Sequence, residues 1–119
     1  MSAPLYTPGV GTVRVSGSGD CKKIAKCALH FIHQRKMPVD FFFVGSNAGH
    51  QAIKAIGIVT EIMKDTTDGA SGLVFEILHV STQVVTPEAK LIDATVLRAY
   101  VIRKEMMAAL RVQNSADSR

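Results

Sequence analysis

The segment from Phe43 to Met63, which reads FVGSNAGHQAIKAIGIVTEIM, constrains the fold of this chain more than any other. An apolar strand end is followed by three small residues, Gly45, Ser46 and Asn47, and then by a run that is apolar on most sides of a helix. A strand, a turn of small residues and a buried helix make up a β-α unit. The turn of such a unit lets another molecule approach the backbone closely.

The length and composition indicate one globular domain. The chain has 119 residues, of which 47% are hydrophobic and 20% are charged, and a chain of this length buries roughly two-thirds of its unfolded surface. No apolar run is long enough to cross a membrane, and residues 1–11 lack the basic and apolar regions of a secretory signal. We therefore expect an intracellular protein, cytoplasmic or nuclear if the source is eukaryotic.

The excess positive charge is concentrated in one short region. The net charge is +4, from 14 basic and 10 acidic residues. Residues 20–36 contain five basic residues against Asp20 alone, and the charges of the remaining residues cancel. A basic helix start favours contact with the phosphates of a nucleic acid backbone. The five basic residues are Lys22, Lys23, Lys26, Arg35 and Lys36.

Hydrophobic periodicity predicts the element order β-α-β-α-β-β. The strands are expected at 12–16, 39–44, 73–85 and 91–104, and the helices at 21–35 and 48–64. The fold class is therefore α/β (α+β), a mixed four-stranded sheet with two packed helices and a long C-terminal β-hairpin. Residues 1–11 are expected to form a flexible arm, 12–104 the domain, and 105–119 a short helical turn with a disordered tail.

Each predicted helix has an apolar stripe that faces the sheet. The strand between the helices has apolar residues on both faces, so both faces are expected to pack against other parts of the protein. Three consecutive phenylalanines, 41–43, place aromatic rings on both faces of that strand. The hairpin tip, around 84–91, is expected to project beyond the sheet as a flexible arm. The stripes comprise Ile24, Ala28, Phe31 and Ile32 in the first helix, and Ala52, Ile56, Val59 and Met63, extended by Ile58 and Ile62, in the second.

The sequence gives little support for catalysis or metal binding. Cys21 and Cys27 point to different sides of a helix, which favours two reduced structural thiols. His30 and His33 could share a ligand, but a solvated helix face is the favoured interpretation because no third ligand is evident. His50 could act as an acid or base, although a first-turn histidine in contact with backbone or solvent is commoner. We expect no enzymatic activity, no cofactor and no metal.

Two glycine-containing turns have both a structural and a functional interpretation. The segment VRVSGSGDCKK resembles a phosphate cradle in outline, but it lacks the GxxxxGK and GxGxxG spacings, so a capped tight turn is favoured. Residues 45–50 either let a helix and a strand pack closely or form a flat surface of hydrogen-bond donors from Ser46, Asn47 and backbone N–H groups. Both interpretations stay open, because Lys54 follows nearby.

The element order, the segment GSNAGHQAIKAIGIV (45–59) and the hairpin HVSTQVVTPEAKLIDATVLRAYVIRK (79–104) resemble the Alba superfamily of nucleic-acid-binding proteins. The QAIKAIGIV run also looks like stage V sporulation protein S, a bacterial relative with the same expected fold. The resemblance covers residues 12–104. It implies a dimer, either a homodimer or a heterodimer with another Alba-like protein, that binds RNA or DNA mainly through sequence-independent backbone contacts.

The resemblance also implies where a nucleic acid binds. Family contacts come from the lysine-rich start of the first helix, from the turn before the second helix and from the hairpin arm. Further lysines on the two helices would supply additional charge. The predicted contact residues are Lys22, Lys23, Lys26, Ser46, Asn47, Lys54 and Lys90.

Two departures from the family pattern keep an alternative open. Asn47 stands where archaeal Alba proteins usually have an arginine, and the hairpin tip pairs Glu88 with Lys90 where the family is more basic. The near-neutral tip favours a regulatory protein-interaction module, similar to the sporulation protein, with weak nucleic-acid affinity. A small enzyme that uses His50 is the least favoured hypothesis. The apolar second helix predicts a dimer contact.

Overall fold

The computed structural model describes residues 3–9, 11–35, 38–83, 88 and 90–117, with the side chains of these residues apart from 35 and 113–117. Lys36 and most of the predicted hairpin tip, 84–87 and 89, lie outside the described residues. The predicted order β-α-β-α-β-β is confirmed, and a third helix follows it. The elements are β1 (Thr12–Val15), α1 (Cys21–Arg35), β2 (Val39–Phe43), α2 (Ser46–Thr66), β3 (Ser71–Gln83), β4 (Leu91–Arg103) and α3 (Lys104–Asp117).

The four strands form one mixed sheet in the order β1-β2-β4-β3. The neighbours β1 and β2 are parallel and are joined by α1. The central strand β4 is antiparallel to both β2 and β3. β3 therefore runs parallel to β2, and α2 returns the chain past β4 to reach the far edge of the sheet.

Both α1 and α2 pack on one face of the sheet, where they form the main core. Phe41 projects from β2 into this core and is fully buried, as are Ala28 of α1 and Ala52 and Ala55 of α2. The small alanine side chains allow the two helices to lie close to each other and to the sheet. The predicted stripe of α1 is confirmed, although Phe31 is half-buried.

The opposite face of the sheet is covered in part by the N-terminal segment. The ring of Tyr6 stacks on Phe42 of β2 with centroids 5.5 Å apart. The backbone N–H of Tyr6 donates to the Ser81 carbonyl, and the Ser81 N–H donates to the Pro4 carbonyl, each at 2.8 Å. These contacts with Phe42 and β3 hold residues of the predicted flexible arm against the sheet.

A polar cluster lies beside this tyrosine. Asp40 of β2 is 9% exposed, and it accepts two hydrogen bonds from Arg98 of β4, at 2.8 Å from Nε and 3.0 Å from Nη2. The Tyr6 hydroxyl donates to the same carboxylate at 2.7 Å. Since its hydrogen is used there, Tyr6 accepts from the Thr12 hydroxyl at 2.9 Å. The cluster therefore joins the N-terminal segment to β1, β2 and β4.

Burial is the largest cause of a raised pKa of the Tyr6 phenol, and its bond to Asp40 adds to the increase. The bond to Asp40 also raises the pKa of the Arg98 guanidinium. The folded protein therefore favours the neutral phenol. The stability that Tyr6 contributes is complete below the ordinary pKa of a tyrosine and is lost as the pH rises through the raised pKa.

Two helices differ from their predicted bounds. The second begins at Ser46 rather than at residue 48, because Gly45 takes a positive φ of 86° that turns the chain directly from β2 into the helix. The third, α3, is a full helix of 14 residues rather than a short turn with a disordered tail. Tertiary contacts hold its start, where the Lys104 N–H donates to the Ala70 carbonyl at 2.8 Å.

Candidate nucleic-acid interface

The sheet topology brings the three predicted contact regions to one end of the molecule. Because β1 and β2 are parallel, their carboxyl ends meet at the same edge, and α1 and α2 both begin there. The β3–β4 hairpin extends past this edge, since four register pairs, from Val80↔Ala94 to Gln83↔Leu91, follow the last residue of β2. The hairpin therefore extends about 13 Å beyond β2 at 3.3 Å per residue.

The start of α1 is basic and exposed. Asp20 caps the helix, because its Oδ1 accepts the Lys22 N–H at 2.9 Å. The first turn contains no acidic residue. Lys22, Lys23 and Lys26 are all exposed, and within the described residues none of them forms an ion pair. Asp20 is therefore the one acidic residue beside three exposed lysines at the start of α1.

The start of α2 has no side-chain cap. Gly45 occupies the N-cap position, where it offers no side chain to the orphan N–H groups of the first turn. That turn has no acidic residue, and both Ser46 and Asn47 are exposed. Uncapped N–H groups and the positive end of the helix dipole attract anions. The hydrogen-bond donors predicted at Ser46, Asn47 and the neighbouring backbone N–H groups therefore belong to the first turn of a helix rather than to a loop.

The two helix starts contact each other through a glycine. A Cβ atom placed on Gly17, in the β1–α1 turn, would lie 3.0 Å from the Cβ of Asn47. This separation is tighter than ordinary van der Waals contact, so the absence of a side chain at Gly17 lets the two turns approach. The structure therefore brings the β1–α1 turn, which leads into Lys22 and Lys23, against the start of α2 at Asn47.

The remaining two predicted contact residues lie further away. Lys54 is exposed on α2, seven residues after Asn47 and thus on the same side of the helix. Lys90 is exposed next to the first residue of β4, at the far end of the hairpin. The charges near the hairpin tip nearly cancel, since Glu88 is close in sequence to Lys90.

The other chemical candidates are separate side chains, all of them exposed except Cys21, which is half-buried. His30, His33 and His50 are all exposed, and both cysteines are free thiols. In the described part of the chain, no group of three or more histidine, cysteine or acidic side chains could hold a metal ion.

None of the helices that the structure describes is long and apolar enough to span a membrane.

Sequence reasoning missed the uncapped start of α2 and the basic residues of α3. The first could have been found from Gly45, because glycine is a poor side-chain cap and the next residues, Ser46 and Asn47, favour a helix start. The second had no local signal, since Lys104 and Arg111 are brought towards α2 by the tertiary fold alone.

Comparisons with protein-family models and with curated proteins gave no match to this chain.

Proposed function

We propose that this protein is an Alba-like nucleic-acid-binding protein that contacts RNA or DNA mainly through the phosphate backbone. The observation that supports this most strongly is the meeting of two helix starts at one end, where the β1–α1 turn that leads into Lys22 and Lys23 contacts the start of α2 at Asn47. Exposed cations and helix N–H donors at one place suit a phosphate chain.

Each part of this surface would make a different contact. The N–H groups in the first turn of α2 and the Asn47 amide would donate hydrogen bonds to phosphate oxygens. Lys22, Lys23 and Lys26 would neutralise neighbouring phosphates, and Lys54 would extend the cationic surface along α2. None of these contacts distinguishes one base from another, so the proposed binding is independent of sequence.

The proposed protein acts as a dimer, because an apolar surface is exposed beside α2. Ile77 of β3 is 73% exposed and Phe75 is 37% exposed, both on the helix side of the sheet, and Ile53 of α2 is 60% exposed. We call these three residues the α2–β3 patch. An apolar surface of this kind favours a second copy of the chain or a related Alba-like partner.

The positions of these residues along their elements indicate one continuous patch. Thr60 of α2 and Leu73 of β3 line the same cleft, and α2 runs opposite to β3. Ile53 precedes Thr60 by about 10 Å along the helix, and Ile77 follows Leu73 by about 13 Å along the strand. Ile53 therefore lies beside the stretch that contains Phe75 and Ile77.

Ile77→Glu is expected to convert the dimer into a folded monomer, because it places a charge in the centre of an apolar contact. Light scattering at micromolar concentrations measures the mass, and circular dichroism confirms the fold. Leu91→Glu serves as the control, since Leu91 is also exposed but lies at the hairpin end, away from the patch. A wild-type protein that is already monomeric would exclude the dimer.

A gel shift at low salt with single-stranded RNA, duplex RNA and duplex DNA tests the proposed function. Backbone contacts predict that each of the three probes is shifted and that changing the base sequence has little effect. The near-neutral hairpin supports a second candidate, a regulatory protein-interaction module related to stage V sporulation protein S. Absence of any shift at micromolar protein would favour that module over a nucleic-acid-binding protein.

A further inference from the structure

A cleft of about 480 Å³ lies between α2 and α3, at the end of the molecule opposite the proposed nucleic-acid surface. From Ser46 to Lys64 the axis of α2 is about 27 Å long at 1.5 Å per residue. The cleft is therefore separate from the proposed nucleic-acid contacts. We call it the α2–α3 cleft.

The fold holds the cleft open through contacts at the start of α3. The Lys104 N–H is anchored to the Ala70 carbonyl, which fixes the first turn of α3 against the α2–β3 turn. A Cβ atom on Gly72 would lie 3.1 Å from the Met107 Cε, so the glycine lets the Met107 side chain rest on β3. Met107 and Leu73 then form an apolar floor between the two helices.

The walls of this cleft are strongly cationic. Lys64 comes from the last turn of α2, and Lys104 and Arg111 come from α3. Glu61 is the one acidic residue among those that line the cleft. Within the described residues, none of the three cations forms an ion pair. Three unpaired cations above an apolar floor are complementary to an organic anion.

We propose that the α2–α3 cleft binds a small organic anion, with its phosphate or carboxylate between Lys64, Lys104 and Arg111. The apolar body of the ligand lies on Leu73 and Met107. The volume of the cleft falls within the range of small-molecule sites, about 300–1,000 Å³. Arg111 offers a planar pair of donors to two oxygens of the anion, and each lysine contributes a point charge.

The probe for this proposal is 8-anilinonaphthalene-1-sulfonate, which joins an anionic group to an apolar body. The folded wild-type protein is expected to bind it saturably, with increased fluorescence that weakens as salt is added. Lys104→Glu/Arg111→Glu is expected to weaken binding by about tenfold or more, through the loss of two attractive charges and the gain of two repulsive ones. Ala108→Phe is expected to abolish binding by filling the cleft, without any change of charge.

Two controls separate the cleft from the rest of the surface. Lys22→Glu/Lys23→Glu changes the net charge by the same amount at the opposite end and is expected to leave probe binding at the wild-type level. Ile77→Ser reduces the apolar character of the α2–β3 patch and is also expected to leave it unchanged. Circular dichroism of each variant distinguishes lost binding from lost folding.

Four results of the probe measurements would overturn the proposal. These are no binding to the wild-type protein, equal binding by the cleft variants, equal loss in the controls, and equal affinity for the uncharged N-phenyl-1-naphthylamine. Competition with adenosine monophosphate and with octanoate then separates a phosphate ligand from a carboxylate. If Lys104→Glu/Arg111→Glu instead loses RNA binding, the three cations belong to a nucleic-acid surface and the small-ligand proposal is wrong.

Discussion

Lys22→Ala/Lys23→Ala is expected to weaken nucleic-acid binding about 20-fold near 0.15 M salt, because each phosphate contact contributes about 0.7–0.9 to the log–log salt slope. The loss is expected to be similar for RNA and DNA and for unrelated base sequences, since both lysines contact phosphate. The slope itself should become shallower by about two units, which is directly measurable by fluorescence anisotropy over a range of salt concentrations.

Single substitutions give the matched control for this prediction. Arg103→Ala removes one positive charge from an exposed residue at the opposite end of β4, and Lys22→Ala removes one from the proposed interface. Arg103→Ala is expected to leave the affinity close to wild type, whereas Lys22→Ala should reduce it several-fold. Equal losses for the two variants would indicate that net charge, rather than the α1 start, determines binding.

Arg98→Met is expected to lower the free energy of unfolding by about 3 kcal/mol, because it leaves the buried Asp40 carboxylate without its bidentate partner. The exposed fractions of the two side chains are 12% for Asp40 and 33% for Arg98. The partial exposure of Arg98 lets water replace some of the lost hydrogen bonding, which places the estimate at the lower end for a broken buried pair, about 3–5 kcal/mol. Urea denaturation measures the difference.

A double variant and a second single variant test whether the unpaired Asp40 carboxylate causes this loss of stability. Asp40→Leu/Arg98→Met removes both charges together and is expected to recover most of the lost stability, because no unpaired charge stays buried. Tyr100→Phe removes the exposed hydrogen bond from Tyr100 to Glu76 on the same sheet face, and a change of less than about 0.5 kcal/mol is expected. An Arg98→Met protein as stable as Tyr100→Phe would show that the ion pair does not stabilise the fold.

Local patterns in the sequence were sufficient for α1 and for the element order. The observed bounds of α1, Cys21–Arg35, are those predicted, because a capping Asp20, a helical apolar period and the terminating Pro38 all act within the segment. The three consecutive phenylalanines at 41–43 correctly predicted that both faces of β2 are covered. The strand order, with β4 between β2 and β3, depends on long-range pairing that no local pattern specifies.

The errors arose where tertiary contacts decide the structure. Pro4 and Tyr6 belong to a segment whose prolines and glycines predict a loose arm. The Tyr6 ring nevertheless stacks on Phe42 of β2. The α3 helix was underestimated because its second half has few apolar residues, and its start is stabilised by the distant Ala70 carbonyl. Ile62, predicted in the buried stripe of α2, is 37% exposed, because the stripe is centred on the alanines and Val59.

The candidate site was partly predictable. The lysine-rich helix start and the bare turn were evident as separate features of the sequence. Their proximity follows from the parallel pairing of β1 and β2 and from the close approach at Gly17. The α2–α3 cleft could not have been predicted, because Lys64 is far in the chain from Lys104 and Arg111, and the three line one cleft only when α3 packs on β3 and β4.

The salt dependence of RNA binding by the wild-type protein tests the central proposal most directly. Contacts to about four phosphates, made by Lys22, Lys23, Lys26 and Lys54, predict a log–log slope of about −3 for single-stranded RNA. The measurement uses fluorescence anisotropy with unrelated single-stranded sequences, which should give the same slope. A slope near zero, or binding to one sequence alone, would contradict a backbone-contact mechanism.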